Sequence, residues 1–172
     1  MGKPLIPLFL VIHNVRSIHN VGSLFRTADG MGVSKIFLTG YTPSPYDVFE
    51  KLRGEFKKTA LGAERFVVWE KIKNIHRLIG NVKSRDFFIV SLEQSTKSIQ
   101  LDHFFEKFKK TLTKKEGVVM IVGNEVRGIS EPILQKSGAV VEIPMRGRKE
   151  SLNVGVAAGI ALFEFQKGLG GL

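Results

Sequence analysis

A chain of 172 residues with 43% hydrophobic residues has material for one α/β domain with a real core and too little for two. It contains no cysteine, which excludes disulfides, thiol catalysis and cysteine-based zinc sites. Lysine and arginine number 26 against 16 aspartates and glutamates, a formal charge of +10 that suits a polyanionic partner, either nucleic acid or an anionic membrane.

In chain order, Leu8–Ile12 is a short apolar run broken by Pro7 on one side and followed by His13 and Asn14. It reads as a first strand, not as a signal peptide. Lys35–Leu38, Phe66–Trp69, Phe87–Ser91, Val118–Val122 and Val140–Ile143 read as five more strands. Their runs are continuously apolar, as in a parallel sheet covered on both faces. Helical patterns fall at Val21–Met31, Val48–Lys57, Lys71–Gly80, Leu101–Lys110, Glu131–Lys136 and Asn153–Gln166. The alternation predicts an open, mostly parallel sheet of about six strands with helices on both faces. No linker or repeat interrupts it, so a single domain over residues 1–172 is expected, with no separate RNA-binding domain. Nothing is long enough to span a membrane. Lys107–Lys115 reads as a solvated helix end.

Ligands of open α/β sheets bind beyond the carboxyl ends of the strands. Three predicted strand ends carry polar or glycine-rich sequence: Leu92-Glu93-Gln94-Ser95, Gly123-Asn124-Glu125-Val126-Arg127-Gly128, and the basic loop Met145–Ser151 after Pro144. The first helix adds Asn20 as a predicted N-cap, Arg26 two turns further in, and Gly22 one turn before Arg26 on the same face. Ser151 or Asn153 is placed to cap the last helix. From Val154 to Phe163 that helix is apolar on every side, so it is predicted to be buried all round. Taken singly, each feature has a plain structural reading: a surface arginine, a turn, a cap. Their joint position at strand ends points to a ligand site beside a tight interface. No GxxxxGK[ST] and no GxGxxG after the first strand occur, which disfavours P-loop enzymes, Rossmann dehydrogenases and the usual Rossmann methyltransferases. His13, His19, His76 and His103 form no metal-ligand pattern, so no metal is expected. His76 and His103 read as surface residues, while His13 and His19 lie near the first helix, within reach of a substrate.

These motifs, in this order, resemble the SpoU (TrmH-like) branch of the SPOUT RNA 2′-O-ribose methyltransferases. The first runs from Asn20 through Arg26 to Ala28, the second from Ile121-Val122-Gly123-Asn124-Glu125 to Gly128, the third from Ile143-Pro144-Met145 to Ser151-Leu152-Asn153-Val154. Leu61-Gly62-Ala63-Glu64 and Leu92-Glu93-Gln94 also fit, and the resemblance covers essentially the whole chain. It implies an α/β fold with a C-terminal trefoil knot, a homodimer formed through the C-terminal helix, and a cytoplasmic enzyme. It implies S-adenosylmethionine as methyl donor, held largely by backbone groups at Leu92, Gly123, Ile143, Met145 and Leu152. It also implies that Arg26 activates a ribose 2′-hydroxyl, with Asn20, Glu125, Ser151 and Asn153 positioning the reactants and Glu125 free to pair with Arg26 or the sulfonium. A guanidinium stays protonated, so Arg26 is better suited to holding the target phosphate and stabilising a developing alkoxide. With no further RNA-binding domain in view, Arg16, Lys51, Arg53, Lys57, Lys58, Arg146, Arg148 and Lys149 are the expected phosphate contacts. The expected substrate is tRNA, at a D-loop guanosine or the wobble nucleotide, ahead of rRNA. A catalytically silent RNA-binding member of the fold is the competing expectation.

Overall fold

In the computed structural model, which describes residues 6–171, the first apolar run forms β1 (Leu8–His13) in the interior of a seven-stranded parallel sheet. The other strands are β2 (Lys35–Thr39), β3 (Trp69–Ile72), β4 (Phe87–Leu92), β5 (Ile99–Gln100), β6 (Gly117–Val122) and β7 (Ala139–Glu142), in the order β3-β2-β1-β6-β4-β7-β5. The helices are α1 (Ile18–Gly30), α2 (Gly54–Ala60), α3 (Ile75–Ser84), α4 (Phe104–Leu112), α5 (Glu131–Leu134) and α6 (Val154–Leu169). Strand side chains alternate between faces. Leu8, Leu10 and Ile12 therefore join one core with α1, α2, α4 and α6, while Val11 joins a smaller core with α3 and α5. Both faces are covered, which is why the strands read as unbroken apolar runs.

Several predicted bounds move, each for a local reason. The third strand is Trp69–Ile72, not Phe66–Trp69, since Val67 turns into the core while Phe66 and Val68 face solvent. Lys71 and Ile72 thus extend β3, and the next helix starts only after Asn74, whose side chain accepts from the N–H groups of His76 and Arg77. The helix predicted at Val48–Lys57 begins at Gly54. Before it, Asp47 Oδ1 accepts from Phe49 and Lys51 N–H and folds a turn closed by the Tyr46–Leu52 bridge. A seventh strand, β5, is only two residues long, too short to leave a pattern in the sequence. The cap of α1 is Ser17, not Asn20, because the Ser17 side chain accepts from Asn20 N–H. Gly22 meets α2: a Cβ there would lie 2.9 Å from the Phe56 carbonyl oxygen, so close backbone packing explains the glycine.

Helix α6 departs most from expectation. Gly155 and Gly159 rest against Ser23 and Thr27 of α1, and Ala158, Ala161, Leu162 and Phe165 are buried. Val156, Ile160 and Phe163, however, are 52%, 40% and 47% exposed and fall at helical spacing on one stripe. Within one chain the helix is not buried all round.

Candidate active site

Beyond the carboxyl ends of β4, β6 and β7 lies a half-open cleft of about 200 Å³. Its walls are Leu92, Glu93 and Gln94 after β4, Val122 through Val126 and Gly128 after β6, and Glu142, Ile143, Met145, Ser151, Leu152, Val154 and Ala157 around β7 and the start of α6. All five residues expected to hold a cofactor line it, as do Glu125 and Ser151. Apolar residues Leu92, Val122, Ile143, Met145, Leu152, Val154 and Ala157 supply a wall for a flat aromatic group. Carboxylates of Glu93, Glu125 and Glu142 make the rim suitable for a cationic centre.

Glu125 is the hub of one wall. Its carboxylate accepts from the N–H groups of Arg16 (3.2 Å) and Ser17 (3.3 Å) and from Asn20 Nδ2 (3.0 Å). Burial pushes the Glu125 pKa up, but hydrogen bonds from its own backbone, Asn20, Arg16 and Ser17 outweigh this and hold it below the usual carboxylate range. Asn20 Oδ1 in turn accepts from Asn153 Nδ2 (3.1 Å), and Asn153 Oδ1 caps α6 by accepting from Gly155 N–H (2.8 Å). Residues from positions 20, 125 and 153 therefore form one chain of hydrogen bonds. Because Ser17 takes over capping, the Asn20 side chain is free to make these links.

Arg26 is not part of this cluster. It sits two turns along α1 from Asn20, roughly 9 Å along the helix axis, exposed and outside the cleft lining. Among the described residues it makes no ion pair or hydrogen bond, so the pairing of Glu125 with Arg26 is replaced by the Arg16, Ser17 and Asn20 contacts. Arg16, Lys51, Arg53, Lys57, Lys58, Arg146, Arg148 and Lys149 are all exposed. Lys58 pairs with Glu55 (2.9 Å), and Arg53 Nε donates to the Ser44 carbonyl. His19 also meets Glu55, while His13 is buried.

The sequence reading missed a second polar layer beneath the cleft. Asn14 Nδ2 donates to His13 Nε2 (3.0 Å), which leaves His13 Nδ1–H to donate to Thr39 Oγ1 (2.9 Å). Burial, with the charge of nearby His76, pushes the His13 imidazole down to about 4. Asn124, 8% exposed, donates from Nδ2 to the Asn14 carbonyl (2.9 Å) and the Tyr41 hydroxyl (3.0 Å), and its Oδ1 accepts from Val126 and Arg127 N–H. Glu93 Oε2 accepts from Ile129 N–H (2.7 Å). The position of Glu93 and Asn124 at strand ends was a usable signal; Tyr41, one residue past a Gly, carried none.

A family model described as the SpoU rRNA Methylase family matches residues 7–163. A tRNA (guanosine(18)-2′-O)-methyltransferase of Aquifex aeolicus is 29% identical over 93% of this chain and 69% of its own length. The 23S rRNA (guanosine-2′-O-)-methyltransferase RlmB of Pectobacterium atrosepticum is 29% identical over 96% of this chain and 62% of its own length. An AdoMet-bound rRNA methyltransferase structure from Sinorhizobium meliloti superposes with a TM-score of 0.80 at 26% identity, over 97% of this chain and 58% of that one. The chain thus spans less than two thirds of both rRNA methyltransferases.

Proposed function

The chain belongs to the SpoU rRNA Methylase family, and we propose that it transfers the methyl group of S-adenosylmethionine to a ribose 2′-hydroxyl of RNA. The observation that carries this reading is the joining of all three sequence motifs at one cleft. The second and third motifs form its walls, and the Asn20–Glu125 and Asn20–Asn153 hydrogen bonds tie the first motif to both. The residues present fit the donor: an apolar wall for its adenine and carboxylates for its positive sulfur. The bound donor would supply an electrophilic methyl carbon. Leu92, Gly123, Ile143, Met145 and Leu152 would hold it, chiefly by backbone hydrogen bonds.

The chain's own residues then have two tasks. Glu125 stays ionised and fixes Asn20, which fixes Asn153, so the ribose-side amides are oriented before substrate arrives. Arg26 remains a cation and is assigned to the target phosphate and the developing alkoxide, with the proton passing to phosphate or water. Ser151, on the cleft wall, is assigned to the ribose or the donor. Arg26 lies apart from the cleft of its own chain. The apolar stripe Val156–Ile160–Phe163 on α6 supports a homodimer in which a second copy brings the two together. Sedimentation at twice the chain mass of 19.2 kDa is the expected result, and a monomer would remove this part of the reading.

The family resemblance also implies the trefoil knot, and the seating of β7 between β4 and β5, both formed earlier in the chain, supports it. We place the activity in the cytoplasm and favour tRNA as substrate, at a D-loop guanosine or the wobble nucleotide. Leu92-Glu93-Gln94-Ser95 resembles relatives that modify a D-loop guanosine, and the chain covers more of the tRNA relative above, 69%, than of the 23S rRNA relative, 62%. The test is to incubate the protein with labelled S-adenosylmethionine and total RNA, then map the labelled nucleotide. Arg26→Ala should lower transfer by about 10³-fold with donor affinity nearly intact. Near-normal turnover in that variant would remove Arg26 from the mechanism, and no transfer by the wild type to any RNA would remove the function.

A further inference from the structure

Tyr41 is an exposed aromatic that the reaction as described leaves unused. The residue is 56% exposed, yet it is anchored at both ends. The hydroxyl accepts from Asn124 Nδ2 (3.0 Å) and the backbone N–H donates to Asn14 Oδ1 (3.2 Å). The preceding residue, Gly40, holds φ +62, and a Cβ there would lie 1.9 Å from Asn14 Oδ1, so no other residue fits the turn that presents the ring. Asn14 itself is left-handed at φ 57. A surface ring gains nothing from exposure to water, and a free side chain would not need this scaffold.

The location supplies a use. Asn124, which holds the hydroxyl, is followed by Glu125, the hub of the proposed ribose site. Arg16, whose N–H binds Glu125, is an exposed cation, and the segment that follows Tyr41 carries exposed Phe49, Lys51 and Arg53. A fixed aromatic face beside cations is the composition of a single-stranded nucleic-acid platform, since every base has a π-face and phosphates need countercharge. A 2′-hydroxyl drawn into a protein cleft requires its nucleotide to leave regular stacking, and the unstacked base then needs a new partner.

We infer that Tyr41 is a stacking platform for an unpaired base at, or next to, the nucleotide whose ribose is methylated, which makes the preferred substrate a single-stranded or looped RNA segment. This rests on the methyltransferase reading. The aromatic ring, not the hydroxyl, carries the contact, and the hydroxyl serves to pre-orient it.

Two measurements test it. With total tRNA as methyl acceptor, Tyr41→Ala should raise KM about tenfold and leave kcat and the affinity for S-adenosylmethionine unchanged, while Tyr41→Phe restores all but about twofold of the loss. In Tyr41→Trp, single-stranded poly(A) should quench the new indole fluorescence and the poly(A)·poly(U) duplex should not. A Tyr41→Ala enzyme with wild-type KM, or equal quenching by strand and duplex, overturns the inference while leaving the methyltransferase reading in place. A wild type that methylates no RNA overturns both.

Discussion

The two walls of the cleft are built on opposite plans. The wall after β6 is fixed: Asn124 makes hydrogen bonds in four directions, Glu125 is held by two peptide N–H groups and an amide, and Glu93 receives Ile129 N–H. The wall from Pro144 to Leu152 is largely exposed, and among the described residues it carries one hydrogen bond to the rest of the site, from Gln94 Nε2 to the Glu150 carbonyl (2.7 Å). The fixed wall holds charged and amide groups at set positions, which is what orientation of a reacting hydroxyl requires. The open wall keeps Arg146, Arg148 and Lys149 unpaired among the described residues, which suits a surface that adapts to a phosphate backbone. Pre-organisation and adaptability are thus separated across a single cleft.

A glycine on each wall gives the sharpest way to break the comparison. Gly128 has φ +63, and a Cβ there would lie 2.2 Å from Glu93 Oε2, the acceptor of Ile129 N–H. Gly128→Ala forces a left-handed alanine and displaces that carboxylate, at an expected cost of about 2–3 kcal/mol in urea denaturation. Donor affinity by calorimetry should fall at least tenfold or so, by the loss of one charge-assisted contact in the wall. A Cβ at Gly147, on the other wall, meets nothing within 4 Å. Gly147→Ala should stay within about 0.5 kcal/mol of the wild type. Equal costs at the two sites would end the distinction between the walls.

The sequence and the structure agree best where the physics is local. Runs such as Val118–Val122 and Leu8–Ile12 are strands because β-branched and apolar residues covered on both faces need no long-range information to recognise. The third strand slipped by three residues because Phe66 and Val68 look like strand positions but face solvent. Asn20 looked like a cap and is a bridge. Its role is set by Glu125 and Asn153, more than a hundred residues away, and no spacing rule reaches that far. Of the cleft residues, Leu92, Gly123 and Ile143 were legible through their strand-end position and Met145 and Leu152 through their motif, whereas Tyr41 and the His13–Asn14 layer became visible only when β1, β2 and β6 were aligned.

Acid offers a graded perturbation of the fixed wall. His13 sits at its base, bound to Asn14, which carries Asn124 and Tyr41. Its pKa is about 4 in the fold against 6.5 as a free group, so the folded protein favours the neutral ring. The unfolded chain takes up a proton first as pH falls. The stability owed to neutral His13 is therefore complete above pH 6.5 and is lost progressively down to about 4, by roughly 2–3 kcal/mol. Glu125 is also depressed and adds loss in the same direction at lower pH. Urea midpoints taken between pH 7.5 and 4.5 should fall in the wild type and flatten in His13→Gln. Parallel curves would show that the imidazole does not govern the wall.

The smallest effect on folding, and the most selective one on function, belongs to the open wall. Replacing Arg146, Arg148 and Lys149 together by alanine removes three exposed cations that make no ion pair among the described residues, so stability should change by no more than about 0.5 kcal/mol. If those cations meet phosphates, each lost contact releases about one fewer counterion on binding. The slope of log affinity against log salt for tRNA should then become shallower by roughly 2–3, read between about 50 and 200 mM salt. Donor affinity should not move, because the fixed wall and the apolar strand ends are untouched. An unchanged slope would mean that the basic loop meets only water, and would shift the grip on RNA to Arg16, Lys51, Arg53, Lys57 and Lys58.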